Sequence, residues 1–229
     1  MFPTLFLTTV AMSVPAVNAS LPLESELTYF GRASIKIKTA AGAVIYLDPY
    51  APGDYSETAD IILVTHGHED HNKTNLPKRN IGCAVIAPKG AVPDNDAIHL
   101  SEYASTTIAG VRITAVPAYN ANHPRGSNVG YILEFGGVVL YHAGDTSLIP
   151  EMSGLKKMGI DYGLLPCDGK YNMGPEEASR VAAIIEPRIV VPIHSTGDGL
   201  ATGANARKLA WREVVVLQIG DTLGLKPRS

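Results

Sequence analysis

The chain has 229 residues, 45% of them hydrophobic, and a formal net charge of −3. This length and composition suit one globular domain with a sizeable core, or at most two small ones. The 19 lysine and arginine residues are mixed with 22 acidic residues. The chain has no basic run, so its charge pattern does not predict binding to nucleic acid or to an anionic membrane.

The first twenty residues, "MFPTLFLTTVAMSVPAVNAS", contain no charged side chain. Their apolar stretch from Leu5 to Val17 is too short to span a bilayer. Val17-Asn18-Ala19 has the small-x-small pattern of a signal-peptidase site. We predict a signal peptide over residues 1–19 of an exported protein and one domain over residues 20–229. A cytoplasmic chain is the alternative, because the usual amino-terminal Lys or Arg is missing.

Short β-rich runs, punctuated by Gly, Pro, Asn and Asp, recur along the rest of the chain, as strand boundaries require. Gly136-Gly137 is typical of a hairpin turn. The predicted strands are Ile35–Ile37, Val44–Leu47, Ile61–Val64, Ala84–Ile86, Val111–Val116, Tyr131–Phe135, Val138–Tyr141, Tyr162–Leu165, Ile189–Ile193, Val214–Ile219 and Thr222–Leu225.

Helical signals are concentrated in the second half of the chain. The stretch "GPEEASRVAAIIEP" places Pro175 in a first turn and two glutamates at the positive end of the helix dipole. Apolar residues follow at helical spacing until Pro187. Ser147–Met158 and Ala204–Arg212 are further helical candidates. Strands with interspersed helices predict a mixed α/β domain.

Side chains that can bind a metal follow five of the predicted strands at their carboxyl ends. Such placement is common in α/β proteins, because rigid strands position the loops that carry a site. In chain order, these side chains are Asp48; His66, His68, Asp70 and His71; His123; Asp145; and His194.

The loop "VTHGHEDHNKT" holds three of the seven histidines within six residues. His66 and His68 can turn toward one cation, whereas Asp70 and His71 can face a second beside it. Imidazole and carboxylate ligands suit Zn²⁺, Fe²⁺ or Mn²⁺. An ordinary surface loop is the alternative. However, clustered imidazoles repel one another when protonated, and such polar groups are costly to bury without partners, so the cluster favours a metal site.

Five strings carry a resemblance to a known family: "YLDPY", "THGHEDH", "YHAGDT", "LLPCDGKYNMGPEEA" and "VPIH". In this order, from about Leu27 to beyond His194, the chain resembles the metallo-β-lactamase-fold metal-dependent hydrolases. Within them it is similar to a small single-domain subgroup related to ascorbate-phosphate lactonases. The resemblance implies a four-layer αβ/βα sandwich with its site at one edge, between two sheets.

The resemblance also implies a role for each of these side chains. Asp48 would orient the histidine loop, as partners of metal ligands commonly do. One or two divalent metals per chain are implied, zinc first, with manganese or iron as alternatives. The implied ligands are His66, His68 and His123 for one metal, Asp70, His71 and His194 for the other, and Asp145 as the bridge. In this chain Tyr119 and Asn120 delay His123 relative to the family's usual Pro-Ala-x-His pattern, and Ser195 replaces a frequent aromatic residue.

The function implied is hydrolysis of a small ester, lactone or phosphodiester by a metal-bound hydroxide. Asp70 and Asp145 would be the catalytic carboxylates, with Asp70 as ligand or proton acceptor. A β-lactamase is an alternative, although its zinc-site cysteine is missing, and a non-catalytic metal-binding protein is another. We expect a small-molecule substrate, no nucleic-acid partner and no stable membrane insertion; the oligomeric state is left open.

Three residues before the Pro175 helix, Lys170, Tyr171 and Asn172, are candidates for substrate contacts, because a helix amino terminus with a lysine can receive an anion. A solvated loop is the alternative. Of the two remaining histidines, His99 is expected at the surface, and His142 is not assigned a role.

Overall fold

The computed structural model describes residues 24–228 apart from Asp94 and Asp96. The predicted signal peptide at residues 1–19 lies outside the described residues.

Two β-sheets lie face to face. The strands are β1 (Ser25–Gly31), β2 (Ser34–Lys38), β3 (Val44–Leu47), β4 (Ala59–Leu63), β5 (Arg79–Ala87), β6 (Ile98–His99), β7 (Ser105–Ile108), β8 (Val111–Pro117), β9 (Val129–Phe135), β10 (Val138–His142), β11 (Tyr162–Pro166), β12 (Ile189–Ile193) and β13 (Thr222–Leu225).

The first sheet has the strand order β13-β1-β2-β3-β4-β5-β6, and the second has the order β12-β11-β10-β9-β8-β7. Strands β3 to β6 run parallel to one another, as do β10 to β12. Parallel strands end at the same edge of a sheet, so the loops that follow them meet there. This topology brings the loops after β3, β4, β10, β11 and β12 to one edge of the sandwich.

The core between the sheets is built from alternating strand positions. Ile61 and Leu63 of β4 are fully buried in one cluster with Tyr131 and Leu133 of β9. Burying such a side chain stabilises the fold by about 1.5–3 kcal/mol. The inward-facing residues of both sheets therefore supply most of the packing that fixes the edge loops.

The helix α1 spans Pro175–Ile185, as predicted, with Pro175 in its first turn. Its buried residues, Ala178, Val181, Ala182 and Ile185, pack on the outer face of the second sheet. The C-cap residue Glu186 adopts a left-handed conformation with φ 48°. This helix forms an outer layer, and the predicted mixed α/β sandwich is confirmed.

The other two helical candidates form short 3-10 helices, at Pro150–Met158 and Ala204–Lys208. Gly154 lies within the first, and glycine destabilises an α-helix by about 1 kcal/mol relative to alanine. The second ends early because the Ala210 N–H donates to the Ser179 hydroxyl of α1 at 2.8 Å. Both therefore differ from the α-helices that their spacing predicts.

The predicted strand Val214–Ile219 is wrong, because only Val214 forms a bridge, with Val190 of β12. Val190 donates to the Glu213 carbonyl and accepts from the Val215 N–H, both at 2.9 Å. The next donor of β12 toward this side would come from position 192, which is a proline. Proline has no N–H to continue a ladder, so the pairing ends after one bridge.

On the outer face of the first sheet, the described residues form loops rather than a helix. Phe30, Tyr46 and Tyr55 pack there, with the Phe30 and Tyr55 ring centroids 5.0 Å apart. This side of the sandwich is therefore covered by aromatic side chains and loop segments. Among the described residues, no helix is long and apolar enough to cross a membrane.

Candidate metal centre

The predicted ligands come together at the edge where the parallel strands end. Two of the loops leave their strands through residues in the left-handed region, Asp48 with φ 44° and His194 with φ 41°. Such a conformation costs about 1–3 kcal/mol outside glycine and persists only where neighbouring structure holds it. The Asp48 N–H donates to the Leu63 carbonyl at 2.9 Å, and the His194 N–H donates to the Arg32 carbonyl at 2.7 Å.

The side chains form three overlapping groups in which the candidate ligand atoms lie within 4.8 Å of one another. One group contains only imidazoles. The other two combine imidazoles with a carboxylate. The groups are His66, His68 and His123; His66, His71 and Asp145; and Asp70, His71 and His194. Every residue that the sequence predicted as a metal ligand belongs to at least one group.

Asp145 belongs to the second group and also lies close to members of the other two. Its carboxylate oxygens are 3.6 Å from His71 Nε2, 3.5 Å from His123 Nε2 and 3.4 Å from His194 Nε2. The turn that places it contains Gly144 with φ 63°, and a Cβ there would lie 2.8 Å from the Val129 carbonyl oxygen. Only glycine therefore fits the turn that delivers Asp145.

Several atoms at the centre are buried and unpaired. His71 Nε2, Asp145 Oδ1 and His194 Nε2 make no hydrogen bond with any residue in the described ranges. Leaving such atoms unpaired costs about 1–3 kcal/mol each. His71 Nε2 lies 3.6 Å from Asp145 Oδ1, and His194 Nε2 lies 3.4 Å from Asp145 Oδ2, so a divalent cation would satisfy these side chains together. The residues present thus fit a metal, and their nitrogen and oxygen donors suit zinc, manganese or iron.

Asp48 and Thr65 orient the loop that carries His66 and His71 through contacts with the Nδ1 atoms of these two rings. Asp48 Oδ2 lies 2.8 Å from His71 Nδ1 and accepts from the Thr65 hydroxyl at 2.8 Å. Thr65 Oγ1 in turn lies 3.0 Å from His66 Nδ1. These contacts occupy the Nδ1 atoms and leave the Nε2 atoms of both rings for the centre. Asp48 thus lies where the sequence predicted a carboxylate that orients the loop.

The loop between β8 and β9 explains the late position of His123. Asn120 Oδ1 accepts from the N–H groups of Asn122 and His123 at 2.8 and 3.0 Å, and lies 2.9 Å from His123 Nδ1. This turn brings His123 back toward the centre despite the intervening residues. Sequence reasoning mentioned Asn120 only as an insertion and missed its contact with the imidazole.

Asp168 and Arg32 also contact predicted ligands and were missed. Asp168 Oδ2 lies 3.1 Å from His194 Nδ1, and Arg32 Nε donates to Asp70 Oδ2 at 2.5 Å. Asp168 comes two residues after β11, so it too is a carboxylate that follows a strand at its carboxyl end. Arg32 follows β1, and a search limited to metal ligands does not include arginine.

Burial and charge act in opposite directions on the groups of the centre. Burial lowers the pKa of His66 well below its usual range. Burial would also lower the pKa of His71, but the carboxylates of Asp145 and Asp48 outweigh it and raise this pKa to about 9. Burial opposes ionisation of Asp145, yet His71 and His194 hold its pKa below the usual range. The carboxylates therefore favour positive charge at the centre.

A cleft of about 380 Å³ opens onto the centre. This volume falls within the range of sites for small ligands. Tyr171 is at its wall, whereas Lys170 is not and pairs with Asp198, with Nζ 2.7 Å from Oδ2. Asn172 is buried and donates to Asp168 at 2.9 Å. The lining residues are Arg32, His68, Asp70, Asn122, His123, Asp145, Tyr171 and His194.

The two remaining histidines lie in different surroundings. His99 is exposed in β6, as expected. His142 is fully buried, with Nε2 3.2 Å from the Ala33 carbonyl oxygen and Nδ1 accepting from the Gly144 N–H at 3.2 Å. His142 therefore braces the turn that carries Asp145.

Residues 26–194 match the β-lactamase superfamily domain. Similar proteins include the UPF0173 metal-dependent hydrolase of Thermococcus onnurineus, 32% identical over 87% of this chain and 99% of the relative. The corresponding protein of Thermococcus kodakarensis is 33% identical over 87% and 99%.

Two solved structures are also similar. A protein described as a metal-dependent hydrolase from Parabacteroides distasonis is 32% identical, with a TM-score of 0.74 and coverage of 84% of this chain and 92% of that one. Igni18, a metallo hydrolase from Ignicoccus hospitalis, has a TM-score of 0.71 and coverage of 90% and 100% at 23% identity, which supports the fold alone. The predicted resemblance to the metallo-β-lactamase-fold metal-dependent hydrolases is confirmed, and the chain belongs to the β-lactamase superfamily and, within it, to the UPF0173 metal-dependent hydrolases.

Proposed function

We propose that this protein hydrolyses a small ester, lactone or phosphodiester with two divalent metals, zinc first among the candidates. The position of Asp145 carries the proposal, because its carboxylate lies 3.4–3.6 Å from three imidazoles. This carboxylate lies between a set of three imidazoles and a set of two imidazoles with a second carboxylate, so each set offers a place for one metal. His66, His68 and His123 would hold one metal, Asp70, His71 and His194 the other.

Bound divalent metals would supply an activated water and polarise the substrate carbonyl or phosphoryl oxygen. The residues of the chain then divide the remaining tasks. Asp70 has a side chain 22% exposed at the cleft, compared with 4% for Asp145. Asp70 is therefore the carboxylate that can take up a proton and pass it to solvent, whereas Asp145 is a fixed anion that holds the surrounding imidazoles.

The wall of the cleft favours a small substrate. Asn122 donates to the Tyr171 carbonyl at 3.0 Å, and the Tyr171 hydroxyl donates to Asp198 at 2.8 Å. The first bond joins the loop after β8 to the loop before α1, and the second joins the loop before α1 to the segment after β12. We propose that Tyr171 contacts the substrate, while Lys170 and Asn172 hold the loop around it through Asp198 and Asp168.

The test of function is a substrate panel. Purified protein loaded with Zn²⁺ or Mn²⁺ is assayed on sugar lactones, acyl-homoserine lactones, aryl phosphodiesters and β-lactams, with metal content measured in parallel. We expect one or two metal ions per chain and turnover of a lactone, ester or phosphodiester. Asp145→Ala should lose most activity and lower the metal content while circular dichroism stays unchanged.

Two results would change this proposal. Turnover of β-lactams alone would make the protein a β-lactamase. Full metal loading without turnover of any member would favour a non-catalytic metal-binding protein.

We also propose that the protein is exported. Amino-terminal sequencing of the native protein should then give a sequence that begins near Ser20, whereas an intact Met1 would indicate a cytoplasmic protein.

A further inference from the structure

Arg32, in the turn between β1 and β2, supplies a guanidinium group to the wall of the cleft. Its side chain is 11% exposed and borders the cleft beside Asp70 and Asp145. Among the described residues that line this cleft, it is the only lysine or arginine. A permanent positive charge is therefore held next to the candidate metal centre.

The backbone of Arg32 is fixed on both sides. Its N–H donates to the Leu200 carbonyl at 3.0 Å, and its carbonyl accepts from the His194 N–H at 2.7 Å. Its φ of 55° lies in the left-handed region, which non-glycine residues adopt only when neighbouring structure holds them. The guanidinium therefore extends from a rigid point, so the protein loses little additional freedom when a ligand binds there.

Only part of the guanidinium is engaged within the protein. Nε donates to Asp70 at 2.5 Å, whereas the two Nη atoms make no hydrogen bond in the described part of the chain. Neither Nη atom belongs to the buried unpaired atoms, so both keep some contact with solvent in a residue that lines the cleft. A guanidinium has five N–H donors in a planar fork that matches the oxygens of a carboxylate or phosphate.

Two lysines near the cleft are the competing cations. Lys170 is paired with Asp198, and its side chain is 53% exposed outside the cleft. Lys89 borders an adjoining cleft of about 360 Å³ that shares His68 and His123 with the first. Lys89 is exposed, so water competes for its charge. Arg32 combines positive charge, low exposure and a position beside Asp70, which neither lysine does.

We propose that the substrate is a small anion and that Arg32 binds its carboxylate or phosphate group, while the bond to be cleaved lies at the histidine and aspartate groups. This inference rests on the proposed hydrolase function and defines the substrate class of the same site. Because the Arg32 contact involves a part of the substrate that does not react, it acts on substrate binding and specificity.

The experiment compares two esters of similar length, mono-4-nitrophenyl glutarate and neutral 4-nitrophenyl pentanoate. The measured quantity is the ratio of their kcat/KM values for metal-loaded enzyme. We expect wild type to favour the anionic ester and Arg32→Gln to reduce the ratio by roughly ten- to a hundred-fold, the value of a charge-assisted hydrogen bond. Arg32→Lys should restore part of the ratio, mainly through KM.

A matched control is Arg188→Gln, which removes a partly buried arginine that faces Asp161 at the opposite end of β12. This variant should keep the wild-type ratio. Because Arg32 also contacts Asp70, metal content is measured for each variant. Arg32→Gln could lower the kcat/KM values for both esters equally and also lower the metal content. In that case the residue only positions Asp70, and the proposal is overturned.

Binding without turnover separates this inference from the proposed function. Calorimetry with glutarate and with inorganic phosphate is run on metal-loaded wild type, Arg32→Gln and Lys89→Gln. Weaker binding in the Arg32 variant alone supports the inference even if no ester is hydrolysed, and the tighter ligand identifies the preferred oxyanion. Equal binding in wild type and Arg32→Gln, or a loss in Lys89→Gln alone, overturns it.

Discussion

Asp168 Oδ2 lies 3.1 Å from His194 Nδ1, and the same carboxylate accepts the N–H groups of Lys170 and Tyr171 at 2.7 and 2.6 Å. Asp168 therefore joins a candidate metal ligand to the loop that forms the cleft wall. A carboxylate behind a ligating imidazole fixes the orientation of the ring and raises its basicity. His194 thus depends on a partner that lies beyond the three candidate groups.

Asp168→Asn removes this charge while keeping the size of the side chain. We expect metal affinity or activity to fall by about 10–100-fold, as for other partners of ligating histidines. Metal titration and kcat/KM measure the effect. Asp54→Asn, at an exposed carboxylate that belongs to none of the candidate ligand groups, is the control and should match wild type; the same metal affinity in both variants would refute the role of Asp168.

Asn120 should determine whether His123 can serve as a ligand. Asn120→Ala removes the acceptor of three contacts, whereas Asn120→Asp keeps an oxygen at the same place. We expect the alanine variant to lose about one metal per chain from the His66, His68 and His123 group, and the aspartate variant to retain it. Metal analysis of the purified variants decides, and equal loss in both would argue against an acceptor role.

Gly144→Ala should destabilise the turn before Asp145. The added Cβ meets the Val129 carbonyl oxygen at 2.8 Å, and φ is 63°, so we expect a loss of about 1–3 kcal/mol in the free energy of unfolding. Urea denaturation measures it. Gly154→Ala is the matched control, because nothing lies within 4 Å of its Cβ; it should be neutral or stabilise by up to about 1 kcal/mol. Equal stability of the two variants would contradict the prediction.

Metal removal should lower thermal stability. His71 Nε2, Asp145 Oδ1 and His194 Nε2 have no hydrogen-bond partner in the described part of the chain, so a bound cation would satisfy them, and a ligand present at about 100 times its Kd stabilises a protein by about 2.7 kcal/mol. Chelation followed by calorimetry should lower Tm by several degrees, and added Zn²⁺ should restore it. His66→Ala, as the control, should respond less to chelation; a Tm independent of metal in wild type would count against the site.

The positions of the candidate ligands could be predicted from the sequence because the signal is local. Asp48, Asp145 and His194 each come within three residues of a buried strand, and parallel strands of a sheet end at the same edge. His66, His68 and His71 follow β4 within one loop. Knowing the strands and their carboxyl ends was therefore sufficient to bring these side chains to one place.

Elements at the margin of the fold were less predictable. The strand expected at Val214–Ile219 would need a backbone N–H from position 192 of β12. That position is a proline, which has no N–H to donate. The 3-10 helix at Ala204–Lys208 ends where Ser179 of α1 takes over a backbone N–H. Apolar spacing within each segment carries no information about such partners, because they lie elsewhere in the chain.

The sequence by itself determined the fold class and the candidate ligands, since both depend on strand periodicity and on residues adjacent to strand ends. The tertiary structure alone decided which partners orient those ligands and which cation borders the cleft. Arg32 and Asp70 are separated by 38 residues, and Lys170 is paired with Asp198 instead of bordering the cleft. These outcomes follow from the distances and directions between loops, which arise only when the two sheets pack together.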